Sequence, residues 1–79
     1  MNAPYDVVNW KTGEVIIKHG ESLTPNLIKP LHKLVHSPIQ PIAEWAVDYH
    51  NNLVSVYNAV IELFPDEFRA LYPNWNTYS

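Results

Sequence analysis

Hydrophobic residues near the start of the chain flank a turn signal. The run Val7 to Trp10 precedes Lys11-Thr12-Gly13, and the β-branched run Val15 to Ile17 follows it. β-Branched and aromatic residues on both sides of a glycine-containing turn are typical of a β-hairpin. We therefore predict a hairpin over residues 5–18. It must pack on another element, because an isolated hairpin is barely stable in water.

A first helix is predicted over residues 24–36. Thr24 is a suitable N-cap, and Pro25 suits the first helical position. Helical spacing gives an apolar face made of Leu27, Ile28, Leu31, Leu34 and Val35. The opposite face carries Asn26, Lys29, His32, Lys33 and His36. Pro30 lies inside the span, so we expect a kink or a restart there, since proline lacks a backbone donor.

The segment 38–64 has the strongest helical periodicity in the chain. Spacings of three and four residues alternate along a first apolar stripe: Ile39, Ile42, Ala46, Tyr49, Leu53, Val56, Val60 and Leu63. A second apolar stripe runs beside the first: Val47, Val54, Tyr57, Ile61 and Phe64. Two adjacent stripes predict one long helix whose apolar surface is broader than contact with a single neighbouring helix requires.

The predicted length of this helix favours self-association. A helix from Pro41 to Phe64 would be about 36 Å long, whereas a domain of this size has a diameter of roughly 30 Å. The first stripe keeps its phase through Asn51 and Asn52, although asparagine is a poor helix former. We therefore expect one continuous helix that extends beyond its own domain and packs on a second copy or on another protein.

The end of the chain is predicted to form a short third helix over residues 65–72 and an aromatic tail over residues 73–79. Asp66 and Glu67 suit a first helical turn, where carboxylates meet the positive end of the helix dipole. The complete pattern predicts an α+β fold. An N-terminal β-hairpin packs on a small bundle of about three helices with one long central helix, in a single domain of residues 1–79.

Composition narrows the classes of function. Hydrophobic residues make up 47% of the chain, which is typical of a folded protein. Eight acidic residues against five basic ones give a net charge of −3. This charge disfavours a nucleic-acid partner, since phosphate binding requires an excess of Lys and Arg. The chain has no cysteine, which excludes disulfides, a thiol nucleophile and Cys-ligated metals.

The chain also lacks the sequence features of membrane insertion and secretion. No apolar run is long enough to cross a bilayer, and Met1 to Pro4 contains neither a basic nor an apolar signal-peptide region. We therefore expect a cytoplasmic protein that does not contact a membrane.

One basic face offers candidate ligand chemistry on the first helix: Lys29, His32, Lys33 and His36. His32 and His36 are four residues apart, so both imidazoles point to one side and resemble a pair of metal ligands. No third ligand is placed beside them, and the two lysines would repel a divalent cation. We expect no metal and no cofactor. The face either binds an anion or an acidic protein surface, or only keeps the helix soluble.

Catalytic motifs are missing from the sequence. The close carboxylate pairs are Glu44 with Asp48 and Asp66 with Glu67, and the second pair is explained by its place in a first helical turn. The serines show no nucleophile elbow, and neither a phosphate-binding loop nor a dinucleotide fingerprint is present. We therefore expect that the protein is not an enzyme.

Aromatic residues, concentrated in the second half of the chain, are the strongest indication of function. Tyrosine, tryptophan and arginine are enriched at the energetic centres of protein interfaces. The candidate interface residues, for a partner or a second copy, are Trp45, Tyr49, Tyr57, Arg69, Tyr72, Trp75 and Tyr78. The alternative is that these large side chains fill the core of a small protein.

These observations favour a non-enzymatic interaction protein that binds a larger protein and occludes or bridges it, and that forms a homodimer. By analogy of size and composition alone, such chains are common among phage and mobile-element proteins that inhibit host machinery. Two alternatives stay open. One is a small nucleic-acid-binding regulator of winged-helix type, with Trp10, Lys11 and Lys18 on its hairpin. The other is a structural or assembly subunit.

Overall fold

The fold is known from a computed structural model, which describes residues 1–37 and 43–75. In chain order its elements are β1 (Val7–Val8), β2 (Val15–Ile17), a 3-10 helix (Pro25–Leu27), α1 (Ile28–Val35), α2 (Glu44–Leu63) and α3 (Pro65–Leu71). The predicted α+β architecture of a hairpin and three helices, with one long central helix, is confirmed. The predicted start of helix 2 at residues 38–42, and tail residues 76–79, lie outside the described residues.

The two strands form an antiparallel hairpin with a bulge. Val7 pairs with Ile17 and Val8 with Val15, so one residue of β2 has no partner opposite it. The turn depends on Gly13, whose φ of 76° lies in the left-handed region that favours glycine. Its backbone nitrogen donates to the Asn9 carbonyl at 2.7 Å.

The start of the chain continues the hairpin beyond its strands. The backbone nitrogen of Ala3 donates to the Glu21 carbonyl at 2.7 Å, and that of Leu23 donates to the Met1 carbonyl at 2.9 Å. The backbone nitrogen of His19 donates to the Asp6 carboxylate at 2.7 Å. The segment after β2 therefore pairs with the first residues of the chain, which the sequence did not predict.

Pro30 is tolerated in α1 because it lies close to the start of the helix. The chain enters through one 3-10 turn at Pro25–Leu27 and becomes α-helical at Ile28. Pro30 is then the third residue of α1, within the first turn, where backbone N–H groups need no partner from the same helix. The predicted apolar face is confirmed, with Ile28 and Leu31 each 0% exposed.

The core lies between the hairpin, α1, α2 and α3. Every element contributes at least one buried apolar side chain: Val7, Ile17, Leu27, Ile28, Leu31, Leu34, Leu53, Val56, Val60 and Phe68. The first stripe of α2 faces this core, since Leu53, Val56 and Val60 are at most 1% exposed. The second stripe is covered at Tyr57, which is buried, but Val47 is exposed and Val54 and Ile61 are only half-buried.

The observed length of α2 does not support the argument that an overhanging helix causes self-association. The helix is continuous through Asn51 and Asn52, as predicted. It has 20 residues, because Ala43 is extended and precedes its first turn, so it is about 30 Å long. The body measures 35 × 29 × 20 Å. Within the described residues α2 therefore fits inside its own domain, and the expected overhang is wrong.

Candidate interaction surface

His32 lies where α1, α2 and the segment after α3 meet. Its Nδ1 shares a hydrogen bond of 2.5 Å with the Tyr57 hydroxyl. Its ring stacks on Tyr72, with centroids 3.8 Å apart and an interplanar angle of 17°. The sequence placed His32 on the solvated face of the helix, which is wrong. His32 directly follows buried Leu31 and is rotated from it by about 100° around the helix, so it lies at the edge of the apolar face.

Trp75 closes this arrangement from the end of the described chain. Its ring meets that of His32 edge-on, with centroids 4.8 Å apart, and lies 4.5 Å from that of His36. The rings of the two histidines are also 4.5 Å apart. We call this set the aromatic cluster: His32, His36, Tyr57, Phe68, Tyr72 and Trp75. The contacts with the two histidines hold Trp75 against the C-terminal end of α1.

Burial keeps the polar centre of the aromatic cluster uncharged. Desolvation, and secondly the nearby charge of His36, lower the pKa of His32 below its usual value of 6.5. Desolvation, and secondly Tyr72, raise the pKa of Tyr57 to about 12. At neutral pH His32 is therefore mainly neutral and Tyr57 keeps its proton, so their hydrogen bond joins two uncharged groups.

An open groove of about 340 Å³ runs beside the aromatic cluster along α2. Its polar lining comes from His36, Asn58 and Glu62. Its apolar and aromatic lining consists of Val35, Val54, Tyr57, Ile61 and Trp75. Trp75 is 41% exposed although its ring contacts both histidines. The groove therefore presents a large, positioned aromatic ring to solvent.

The predicted basic face is divided in the structure. Lys29 and Lys33 are exposed, whereas His32 is half-buried in the aromatic cluster. Lys33 borders a second hollow of about 460 Å³ between the hairpin turn and α1, where Lys11 and Glu14 also lie. The four residues therefore do not form one continuous cationic surface.

The predicted interface residues Tyr57 and Tyr49 serve the interior of the fold. Tyr57 is 4% exposed, so its ring belongs to the core and only borders the groove. Tyr49 is half-buried, and its hydroxyl donates to the Val8 carbonyl at 2.6 Å, which ties α2 to the hairpin. Burial raises the pKa of Tyr49. For these two, the alternative that aromatic residues fill the core is the better description.

The other predicted interface residues lie in three different settings. Tyr72 is half-buried on His32, and Trp75 lines the groove. Trp45, which is 61% exposed, and Arg69 are on the surface but line neither the aromatic cluster nor the groove. Tyr78 lies outside the described residues. Among those that the structure describes, only Trp75 combines exposure with a place in the groove.

Five residues of the groove were not among the predicted site residues: Val35, Val54, Asn58, Ile61 and Glu62. Val54 and Ile61 are seven residues apart in the second stripe, and two full turns place them on the same side of α2. The signal was therefore present in the sequence. What the sequence did not show was which residues of the two stripes stay open.

Within residues 1–37 and 43–75, no group of three or more His, Cys, Asp or Glu side chains is placed to hold a metal ion. His32 and His36 are close, but the first is engaged by Tyr57. No α-helix in the same ranges has the length and apolarity to cross a membrane. A comparison of the chain with protein-family models, curated proteins and solved structures finds no match.

Proposed function

We propose that this chain is a non-enzymatic interaction protein that binds a larger protein through the groove beside α2. The observation that carries the proposal is the exposed Trp75, which lines the groove with Val54 and Ile61 and contacts the rings of both histidines. A positioned tryptophan beside an apolar hollow has the composition and geometry of an interface centre.

Coverage of this surface is physically favourable. Val47 belongs to the second stripe of α2, seven residues before the groove residue Val54, and is 43% exposed. Trp75 is 41% exposed. Removal of apolar surface from water releases about 25 cal/mol per Å². The bordering polar groups of Asn58, Glu62 and His36 supply donors and acceptors at the rim, as in ordinary protein interfaces.

The mode of action that we propose is occupancy. A chain of this size covers part of the surface of its partner, and thereby blocks another ligand or bridges two proteins. Self-association through the same surface is the competing form of the proposal, in which the partner is a second copy.

A site-specific photocrosslinking experiment tests the proposal. A photoreactive phenylalanine replaces the groove residue Ile61 or, as the control, Val15, an exposed apolar residue of the hairpin. Both proteins are irradiated in lysate of the source cells. We expect a discrete adduct with one larger protein from position 61 and none from position 15. That protein, once identified and purified, should bind the wild-type chain.

The decisive control is Trp75→Ala. It should weaken binding of the purified partner at least about tenfold, the loss typical of an interface centre, while far-UV circular dichroism stays unchanged. Equal binding by Trp75→Ala and wild type would contradict the groove as the binding site. An adduct of twice the mass of the chain would identify a second copy as the occupant. Micromolar binding of random duplex DNA that disappears with added salt would instead support a nucleic-acid function.

A further inference from the structure

The partly exposed side of α2 carries a line of three apolar residues that extends beyond the groove. Val47, Val54 and Ile61 are spaced by seven residues, and each step rotates the side chain by only about 20° around the helix. Val47 is exposed, and Val54 and Ile61 are half-buried, with Ile61 also in contact with the core. We call this stripe the free face of α2. Its length from Val47 to Ile61 is about 21 Å.

One edge of the free face carries only negative charge. The charged residues of α2 are Glu44, Asp48 and Glu62, and the helix has no lysine or arginine. At 100° per residue, all three lie within about 60–100° of Val47 on the same side of the stripe. All three are exposed. Asn51 and Asn58, between the stripe and the acids, add neutral hydrogen-bonding groups.

The ring of Trp75 bounds the surface at the groove, which it lines together with Val54 and Ile61. Its exposed part can take an apolar side chain or a guanidinium group, which is attracted to an aromatic face. The free face thus combines three features: an aromatic wall at the groove, an apolar stripe, and an acidic edge whose residue Glu62 also lines the groove.

We propose that the free face of α2 docks a basic amphipathic helix of the partner protein. Such a helix has apolar residues at spacings of three and four, with Lys or Arg along one side, and about 14 residues match the length of the stripe. The apolar side chains cover Val47, Val54 and Ile61, and the cations meet the acidic edge. This inference rests on the proposed function and specifies the chemistry of the partner.

Charge complementarity selects this occupant over the others. An anionic membrane surface or a nucleic acid would be repelled by Glu44, Asp48 and Glu62. The described residues of a second copy supply no suitable helix. Lys29 and Lys33 lie on α1, but its apolar residues Ile28, Leu31 and Leu34 are buried in the core.

Three synthetic helices of about 15 residues test the inference against the full chain. The first has a leucine stripe and lysines on one side, the second replaces these lysines with glutamates, and the third has the composition of the first in an order that breaks the stripe. Binding is followed by backbone amide shifts in NMR titrations. We expect the first peptide to bind at least about tenfold more tightly than the others, with shifts concentrated at Val47, Val54, Ile61 and Glu62.

Surface variants locate the contact. Glu62→Gln and Asp48→Asn should each weaken the first peptide about threefold, as expected for an exposed charge pair, and added salt should reduce the difference. The matched control Glu14→Gln, on the hairpin turn, should leave the affinity unchanged. Val47→Asp should abolish binding without unfolding the chain, because Val47 is 43% exposed.

The outcomes separate this inference from the proposed function. Equal binding of the lysine and glutamate peptides, or of the ordered and disordered lysine peptides, overturns the inference. The same amide shifts on simple concentration of the chain identify a second copy as occupant, and also overturn it. If none of the three peptides binds, the proposal that a basic helix occupies the free face is wrong. The photocrosslinking result at Ile61 tests the proposed function independently.

Discussion

Two valines of α2 provide a direct test of which side of the helix is free. Val56 is 0% exposed and Val47 is 43% exposed, in the same helix and with the same side chain. We expect Val56→Ala to destabilise the protein strongly and Val47→Ala to have little effect. Because both changes replace valine with alanine inside one helix, the gain in helix propensity, about 0.5 kcal/mol, is common to both.

The expected difference follows from burial. Truncation of a buried valine loses about 1.6 kcal/mol of transfer free energy, and a residual cavity of about 30 Å³ adds about 0.7 kcal/mol. After the propensity gain, Val56→Ala should lower the free energy of unfolding by about 1.8 kcal/mol. At Val47 just over half of the transfer term applies and no cavity forms, so the net loss is about 0.4 kcal/mol.

The assay is urea unfolding followed by far-UV circular dichroism, with thermal unfolding in parallel. Val56→Ala should lower Tm by about 10 °C and Val47→Ala by less than about 3 °C, with the dependence on urea unchanged. A loss at Val47 equal to or larger than that at Val56 would show that the free face is packed. The reasoning behind the docking surface would then be refuted.

Two further predictions concern the polar contacts of the interior. Since burial lowers the pKa of His32 in the folded state, the unfolded chain binds more protons below about pH 6.5, and the free energy of unfolding should fall as the pH drops below that value. The change in urea midpoint between about pH 7.5 and pH 5 should shrink in His32→Gln, and a wild type that is equally stable at both would contradict this. Tyr49→Phe removes the hydrogen bond to the Val8 carbonyl and should cost about 1 kcal/mol in urea unfolding. Tyr5→Phe, at an exposed tyrosine, is its control, and equal effects of the two changes would show that the bond contributes nothing.

Local patterns were sufficient to predict the order of the elements. The turn at Gly13 and the spacing of Leu53, Val56 and Val60 each depend on residues close in sequence, and the structure confirms both. Pro30 was predicted to cause a kink or a restart of a helix, and the change from the 3-10 turn to α1 occurs at Ile28, two residues before it.

Contacts between distant residues were not predictable in the same way. His32 and Tyr57 are 25 residues apart, and only the packing of α1 on α2 brings their polar atoms together. The choice between two apolar stripes on α2 depends on which side α1 and the hairpin cover, and periodicity alone does not contain that information. The second apolar stripe could therefore be predicted from the sequence, but not the finding that part of it lines an open groove.

The connection between α2 and α3 has a consequence for affinity. A single residue, Phe64, separates the last residue of α2 from Pro65, the first of α3. A junction this short leaves the backbone few alternative paths, so the direction of α3 is set before any partner arrives. Trp75 follows α3 and contacts both histidines of the aromatic cluster, so we expect the groove to be preorganised. Its occupant would lose conformational entropy mainly on its own side of the complex, which favours tight binding from a small contact area.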